Sequence, residues 1–382
     1  MTPTTSQPSP QPMPTGKPPY RADHVGSLLR PIKLKNAFRQ RAANAITADA
    51  FAMVMDEAVR AVVALQERCG LAVANDGEYR RGSYWSRFVE RMEGFRVGPA
   101  VYKFRDEHGC EVDFTAPYIS GKLKRVQPIA LDELEFLAGA LTSAAAKVTL
   151  PSAPTMQFYG GGQAIDPGVY SSREEMFADL GRAYQEEICA LHGAGLRYVQ
   201  IDEVPLAMLC DPSIREQVRA KGEDPERLVD LYIDALNQSV ADLPADMVVG
   251  MHMCRGNFKG NYLSEGGYEH VAERIFNRIN VNHFLLEYDT PRAGDFQALK
   301  FVPKNKGVVL GLVSTKKPEL ELLDDLKQRI DEASRYADMD RLAVSPQCGF
   351  ASTVAGNPVT EADEIAKLSR VVETARAVWG RT

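Results

Sequence analysis

The chain has 382 residues, 45% hydrophobic and 25% charged, with a formal net charge of −6 and an isoelectric point near 5.7. This is ordinary globular composition, and the length suits either two domains or one large α/β barrel. An acidic balance without a basic block argues against nucleic acid or a membrane surface as a partner. No apolar run approaches the length of about 18 residues that a transmembrane helix needs.

The N-terminal segment and the cysteines bear on domain organisation and location. Residues 1–19 are rich in Pro, Ser, Thr and Gln and lack the charged and apolar regions of a signal peptide. They predict a disordered tail, followed by one domain over residues 20–382. The six cysteines are widely spread and form no Cys-x-x-Cys motif. This pattern favours a reduced, cytoplasmic protein in which some cysteines are buried and others bind metal.

Short apolar runs rich in Val, Leu and Ile alternate with longer amphipathic segments, which is typical of parallel strands buried between helices. The predicted strands are 24–27, 71–78, 148–155, 198–203, 248–254, 283–289, 307–313 and 342–348. The predicted helices are 47–69, 172–195, 215–241, 269–278, 318–337 and 360–379. Eight strands in this rhythm predict a single (β/α)8 TIM barrel. The alternative, an open doubly wound sheet, is disfavoured because no Gly-x-Gly-x-x-Gly turn follows an early strand. Residues 100–124 predict a β-hairpin inserted after the second strand.

Residues that commonly bind zinc stand at the ends of three predicted strands. His252 and Cys254 end the fifth strand, Glu287 lies near the end of the sixth, and Cys348 ends the eighth. Each has a simpler explanation alone, since Cys348 could be a buried thiol and Glu287 a strand-end ion pair. In a barrel, however, the carboxyl ends of the strands meet at one face, where the chemistry lies. Together they predict one zinc site assembled by the fold. Further acids, Glu78 and Asp202, stand at other strand ends.

Six motifs carry a resemblance that runs from about Tyr20 to the C-terminus. They are Arg-Ala-Asp-His-Val-Gly-Ser at 21–27, Asn-Asp-Gly-Glu at 75–78, Gln-Ile-Asp-Glu at 200–203, His-Met-Cys-Arg-Gly-Asn at 252–257, Leu-Glu-Tyr-Asp at 286–289 and Ser-Pro-Gln-Cys-Gly at 345–349. In these motifs the chain resembles the catalytic domain of cobalamin-independent methionine synthase, and more closely its short single-domain relatives, the methionine synthase II-like proteins. The resemblance implies a 5-methyltetrahydropteroyltriglutamate–homocysteine methyltransferase-like activity with one Zn²⁺.

The resemblance also implies roles for individual residues. Zinc would be held by His252, Cys254, Glu287 and Cys348. The substrate ammonium would be held by Glu78 and Asp202, and the substrate carboxylate by the backbone of Gly26 and Ser27. Two carboxylates select a cation, and backbone N–H groups hold an anion.

The chain departs from the family pattern in two places. It has no second barrel of the kind that helps the full-length enzymes to bind a polyglutamylated folate. The family's catalytic His after the seventh strand is also missing from residues 312–317. The methyl donor is therefore open between methyltetrahydrofolate, a methylated corrinoid protein and a small methylated metabolite. Asp289, Tyr288 and Lys316 are positional candidates for the proton donor, and Tyr84 with Trp85 for stacking a pterin.

The same residues bear on four other functions. An epoxyalkane:coenzyme M transferase-like enzyme would alkylate a different thiol, but such a thiol carries no ammonium for Glu78 and Asp202. A zinc hydrolase is disfavoured because two thiolate ligands make zinc a poorer Lewis acid. A non-catalytic partner protein with structural zinc would not need the strand-end acids. Porphyrinogen decarboxylases share the barrel without this set of metal ligands.

Overall fold

A computed structural model describes residues 16–382, and a parallel β-sheet lies at its centre. The strands are β1 (Val73–Ala74), β2 (Met92–Pro99), β3 (Phe104–Arg105), β4 (Glu111–Val112), β5 (Thr115–Arg125), β6 (Ala145–Ala146), β7 (Val148–Pro151), β8 (Tyr198–Glu203), β9 (Val248–Met253), β10 (His283–Glu287), β11 (Gly307–Val313) and β12 (Leu342–Pro346). The α-helices are α1 (Ile32–Ala42), α2 (Ala48–Arg68), α3 (Ser86–Glu90), α4 (Leu131–Ala140), α5 (Thr155–Phe158), α6 (Arg173–Gly193), α7 (Pro205–Met208), α8 (Pro212–Ala220), α9 (Pro225–Ser239), α10 (Ala272–Arg278), α11 (Leu323–Ala333) and α12 (Glu361–Trp379).

The central sheet runs β7–β8–β9–β10–β11–β12, and all of its neighbouring strands are parallel. At one edge, β6 leads almost directly into β7 and pairs with β1. At the other edge, residues 21–23 lie along β12, with Asp23 N donating to Val344 O at 3.0 Å and Val344 N donating to Arg21 O at 2.9 Å. The order of parallel segments therefore follows the chain from β7 to β12 before returning to the first segment.

The first two predicted strands are much shorter than predicted. Only Ala22 makes a strand bridge near the first, and only Val73–Ala74 remain of the second. Gly26 has a φ of 132°, and Glu78 is left-handed with a φ of 58°, so the backbone leaves the extended conformation at both places. Within residues 16–382 no strand pairing joins residues 21–23 to β1. The observed fold is thus α/β with a parallel sheet that does not close into a complete ladder.

Helix ends follow local capping chemistry. Thr47 and Ser172 accept hydrogen bonds from the backbone at the starts of α2 and α6, and Thr360 forms a capping box at the start of α12. The segment 215–241, predicted as one helix, is two helices. Gly222 takes a φ of 80° between α8 and α9, and Pro225 begins the second of them.

The insertion after β1 is built differently from the predicted hairpin over 100–124. Its main ladder is the antiparallel pair β2–β5, which begins before residue 100, and the short pair β3–β4 lies inside it. At the N-terminus, Lys17 pairs with Asp340 at 2.7 Å, and Pro18 lies against Gly307. Residues 1–15 of the predicted tail lie outside the described residues. No helix in the described part of the chain is long and apolar enough to cross a membrane.

The inner side of the sheet holds a fully buried polar chain. Lys147 Nζ donates to Asp23 Oδ1 at 2.7 Å, to Gln200 Oε1 at 3.1 Å and to the His24 carbonyl. The other oxygen of Asp23 accepts from the Tyr198 hydroxyl at 2.7 Å. Because buried charges need partners, these bonds fix the first segment of the chain against β7 and β8.

Candidate active site

Three of the four predicted metal ligands form one buried cluster. His252 lies in β9, Cys254 follows that strand, and Cys348 follows β12. Although β10 and β11 separate these two strands in the sheet, the carboxyl ends of β9 and β12 bring the three side chains together. Their ligand atoms all lie within 4.8 Å of one another. The two Sγ atoms are 3.6 Å apart. The hydrogen bond from Cys254, together with the neighbouring His252, holds the pKa of the Cys348 thiol well below its ordinary value.

The ring of His252 is oriented as metal-binding imidazoles usually are. Its Nδ1 lies 3.2 Å from the Leu285 carbonyl oxygen, which favours a proton on that nitrogen. Its Nε2 is buried and has no hydrogen-bond partner among residues 16–382. A buried nitrogen lone pair beside two thiols is the donor set that zinc prefers. The cluster therefore fits a zinc ion by the chemistry of its donors.

Glu287, the fourth predicted ligand, ends β10 beside this cluster but is not within the group of three. Its Oε2 accepts from the backbone N–H of Arg255 at 2.5 Å, and its Oε1 accepts from Arg292 Nη2 at 2.8 Å. Although burial acts to raise it, the cations of Lys316, Arg292 and Arg255 hold the pKa of Glu287 below its usual value. Glu287 is thus a buried carboxylate bound by protein donors.

The two predicted ammonium-binding acids are buried and close enough to interact electrostatically. Glu78 accepts from the Thr149 hydroxyl at 2.7 Å, and Asp202 accepts from Gln200 Nε2 at 2.7 Å. Burial raises the pKa of Asp202 to about 7, and the nearby Glu78 adds to this rise. Burial also raises the pKa of Glu78, against the opposing effect of Arg81. Such a pair of mutually repelling acids is suited to binding a cation.

The Gly26–Ser27 segment lies against Glu78 at one residue and against Gly349, beside Cys348, at the next. A Cβ on Gly26 would lie 3.1 Å from Glu78 Oε1 and 2.7 Å from Thr149 Cγ2. A Cβ on Gly349, the residue after Cys348, would lie 1.8 Å from Ser27 Oγ. Glycine at both positions therefore leaves room for these side chains to lie against the backbone. All four predicted substrate-binding residues border one region beside the thiols.

Gln200 links the acid pair to the interior and was missed as a site residue. Its Nε2 donates to both Asp202 and the Val25 carbonyl, while its Oε1 accepts from Lys147. It stands two residues before Asp202 in β8, so both side chains point to the same side of the sheet. This two-residue repeat of side-chain direction could have identified Gln200 from the sequence. Arg292 was missed as well, because only the folded structure shows that it pairs with Glu287.

Lys316 and Asp289, the predicted catalytic residues, border the cluster on its other side. Lys316 Nζ donates to the Gly256 carbonyl at 2.9 Å and lies 3.4 Å from both Asn257 Oδ1 and the Asn261 carbonyl. The side chain of Asp289 is buried, and Arg292 Nη2 is 3.8 Å from its Oδ1. Burial raises the pKa of Asp289 to about 6. Both residues lie near Glu287, and neither lies among the three clustered ligands.

The predicted aromatic pair divides between site and core. The Tyr84 hydroxyl is 3.1 Å from the Tyr159 hydroxyl. Burial raises the pKa of Tyr84, and the proximity of Cys254 and Asp202 adds to this effect. Trp85 instead is 6% exposed and packs within the main hydrophobic core. The indole therefore fills the interior behind the site, and of this pair only Tyr84 lies beside the cluster.

Comparisons with known proteins place the chain in a family. The family model described as the catalytic domain of cobalamin-independent synthase matches residues 22–376. The Bacillus subtilis protein YxjH, of uncharacterised function, is 40% identical over 95% of this chain and 96% of its own. A methionine synthase of Pyrococcus furiosus is 25% identical over 85% of each chain. A Listeria monocytogenes crystal structure, described as a candidate vitamin-B12-independent methionine synthase, is 31% identical with a TM-score of 0.75, covering 96% of this chain and 99% of the other.

The match of the family model spans almost all of the described sheet, its helices and every residue of the cluster. The chain belongs to the family of cobalamin-independent synthase catalytic domains.

Proposed function

We propose that this protein is a zinc-dependent thiol methyltransferase that converts homocysteine to methionine, with a 5-methyltetrahydrofolate as methyl donor. The observation that carries the proposal is the joint placement of a His–Cys–Cys cluster and a buried pair of acids beside the Gly26–Ser27 segment. The first feature suits a substrate thiol and the second suits an α-ammonium group. Family membership supports the same reaction class and does not support a corrinoid donor, which is therefore withdrawn.

We propose that His252, Cys254 and Cys348 hold zinc, and that Glu287 is an exchangeable fourth ligand. When bound, zinc lowers the pKa of the substrate thiol and keeps its sulfur nucleophilic. Cys348→Ser is expected to reduce the zinc content of the purified protein and its thiol alkylation together. The matched control is Cys110→Ser, which changes an exposed cysteine outside the cluster. Unchanged zinc content in Cys348→Ser would contradict the proposed site.

The amino-acid part of homocysteine is assigned to the acid pair and the first segment. Glu78 and Asp202 take the ammonium, and the Gly26–Ser27 backbone takes the carboxylate. The binding region is shaped before substrate arrives, since Thr149 fixes Glu78 and Gln200 fixes Asp202. Such fixed donors and acceptors reduce the entropy lost when the substrate thiol is oriented toward the methyl group.

The residues near the thiols suggest how the methyl donor is handled. We propose that Tyr84 contributes a face for the pterin, and that Lys316 protonates the departing nitrogen in place of the family's histidine. Lys316 Nζ is buried among three acceptors, so its hydrogen bonds hold it in a defined position. Lys316→Met is expected to lower kcat by about 10²-fold or more, the usual contribution of a general acid. Equal zinc content in both proteins would separate this effect from metal loss.

A different acceptor thiol is the second candidate. A sulfonate-bearing thiol such as coenzyme M would meet the carboxylates of Glu78 and Asp202 without an ammonium to offset them, and like charges repel. Asp202→Asn is expected to weaken homocysteine binding and to leave or improve the binding of a sulfonate thiol. The opposite ranking would favour the second candidate.

We also propose that the eight strand positions form a (β/α)8 barrel. Leu28 N donates to Gly77 O at 3.1 Å, so the first segment and the region after β1 already meet above the unpaired gap. The cytoplasmic location stays a prediction.

The decisive experiment uses zinc-loaded protein with homocysteine and a panel of donors: 5-methyltetrahydrofolate, its triglutamate form, and small methylated compounds. Methionine formation with a folate donor is the expected result. Consumption of another thiol, with no methionine from any donor, would overturn the proposal. The non-catalytic alternative predicts zinc binding without alkylation of any thiol.

A further inference from the structure

The carboxylate of Glu287 has two bonding partners that differ in kind. The Arg255 N–H is part of the backbone and follows Cys254 directly, so it remains beside the cluster. Arg292 is a long side chain on the short 3-10 helix Pro291–Ala293, and its guanidinium lies 4.7 Å from the centre of the Tyr262 ring. Of the two donors, only Arg292 has the freedom to release Glu287 by moving its side chain alone.

Arg292 also has a second carboxylate within reach. Its Nη2 is 2.8 Å from Glu287 Oε1 and 3.8 Å from Asp289 Oδ1. Both oxygens of Asp289 are buried and make no hydrogen bond within residues 16–382. A buried carboxylate without donors is costly, so Asp289 competes with Glu287 for the guanidinium. A shift of about 1 Å along the Tyr262 ring would bring Arg292 to hydrogen-bonding distance of Asp289.

We propose that Arg292 is a positioning residue that decides whether Glu287 binds zinc. Paired with Glu287, Arg292 holds that carboxylate off the metal and leaves a coordination position for the substrate sulfur. Paired with Asp289, Arg292 releases Glu287 to the metal. With zinc bound, substrate binding would exchange the Glu287 carboxylate for the substrate sulfur as the fourth ligand, and the thiol proton would pass to solvent. The inference rests on the proposed zinc site and adds what controls its fourth ligand.

Substitutions of Arg292 and of Asp289 are expected to have opposite effects on zinc affinity measured without any thiol. Arg292→Met frees Glu287 and should tighten zinc binding about tenfold, whereas Asp289→Asn leaves Arg292 on Glu287 and should weaken it several-fold, within the range for residues behind metal ligands. On the Arg292→Met background, Asp289→Asn should have no further effect. Chelator competition gives these dissociation constants without an activity assay. Arg292→Gln provides a second variant if Arg292→Met does not fold.

X-ray absorption at the zinc edge supplies an independent measurement. Adding homocysteine to the wild type should replace an oxygen neighbour by sulfur, and Arg292→Met should retain the oxygen at higher thiol concentrations. Arg105→Met is a matched control, because Arg105 also faces the Tyr262 ring, at 5.5 Å, but pairs with Asp211 and Glu265. It should leave zinc affinity unchanged.

Two results would overturn the inference. One is zinc affinity that is unchanged or weaker in both Arg292→Met and Arg292→Gln. The other is a tighter affinity that persists when Glu287→Gln is added, since Arg292 would then act through something other than Glu287. Absence of zinc binding in the wild type would sink the inference and the proposed function together. Zinc binding with the predicted changes, but no methionine formation, would refute the proposed reaction alone.

Discussion

Lys147 is expected to be the most costly single side chain to remove from the interior polar chain. It is fully buried and donates to Asp23, to Gln200 and to the His24 carbonyl. Lys147→Met fills a similar volume but leaves Asp23 as a buried charge whose main counter-ion has gone. Breaking a buried pair in this way costs about 3–5 kcal/mol. For the described residues, unfolding entropy is on the order of 0.8 kcal/mol per kelvin, so Tm should fall by roughly 4–6 °C.

The change should also reach the substrate site. Without Lys147, Gln200 Oε1 loses its donor and the amide is held only by the hydrogen bonds of its Nε2 to Asp202 and the Val25 carbonyl. The looser amide should raise the KM for homocysteine more than it lowers kcat. Urea unfolding with steady-state kinetics tests both effects. Lys147→Met/Asp23→Asn should recover part of the stability, because the uncompensated charge is gone. Lys103→Met, at an exposed ion pair with Glu111, is the control and should leave the stability nearly unchanged, because solvent screens such a pair. A loss below 1 kcal/mol in Lys147→Met, or no recovery in the double variant, would refute the assigned role.

Two further predictions concern stability and the site. Burial raises the pKa of Glu364 to about 8 from an ordinary 4.5, so its contribution to stability is complete below pH 4.5 and is lost as the pH rises to 8. Glu364→Gln keeps an acceptor for the Leu29 N–H. The variant should be more stable than the wild type by up to a few kcal/mol at pH 8, but not at pH 4.5. The same difference in the free energy of unfolding at both pH values, measured in urea, would contradict this. In Gly349→Ala the new methyl group should clash with Ser27 Oγ, lower the free energy of unfolding by about 1–3 kcal/mol and weaken homocysteine binding. Adding Ser27→Ala should restore part of the stability and part of the binding. Urea unfolding and calorimetric titration measure these two quantities.

Local sequence patterns predicted the longest helices and the six strands of the central sheet, but not the helices α1 and α4. Thr47, Ser172 and Thr360 have cap chemistry within four residues of the chain, so the helix starts were readable. The candidate metal ligands His252 and Cys348 could be predicted for a similar reason, because His and Cys at the ends of buried apolar runs indicate a metal site. The short pairing near 24–27 and 71–78 was not readable, because it depends on left-handed backbone at Gly77 and Glu78 that only the tertiary contacts impose.

Parts of the site depend on contacts between distant segments and were beyond the sequence. Nothing in the residues around Trp85 distinguishes an indole that lines a site from one that fills the core. The structure places Trp85 in the core. The ion pair of Arg292 with Glu287 joins the 3-10 helix Pro291–Ala293 to the end of β10, five residues earlier, and its geometry depends on how the chain turns after the strand. Propensity and periodicity carry no information about such a pair.

The separation of Cys254 and Cys348 has a consequence for the handling and lifetime of the protein. Their sulfur atoms, 3.6 Å apart, need to approach by only about 1.5 Å to reach disulfide bonding distance. A metal held between them would block that approach. In protein stripped of metal and kept in air, Cys254 and Cys348 should therefore form a disulfide, with the loss of two hydrogen atoms. The disulfide form should not bind zinc until it is reduced. Metal supply and oxidative stress would then act on the same two atoms, so that loss of the ion becomes durable inactivation instead of a readily reversed equilibrium.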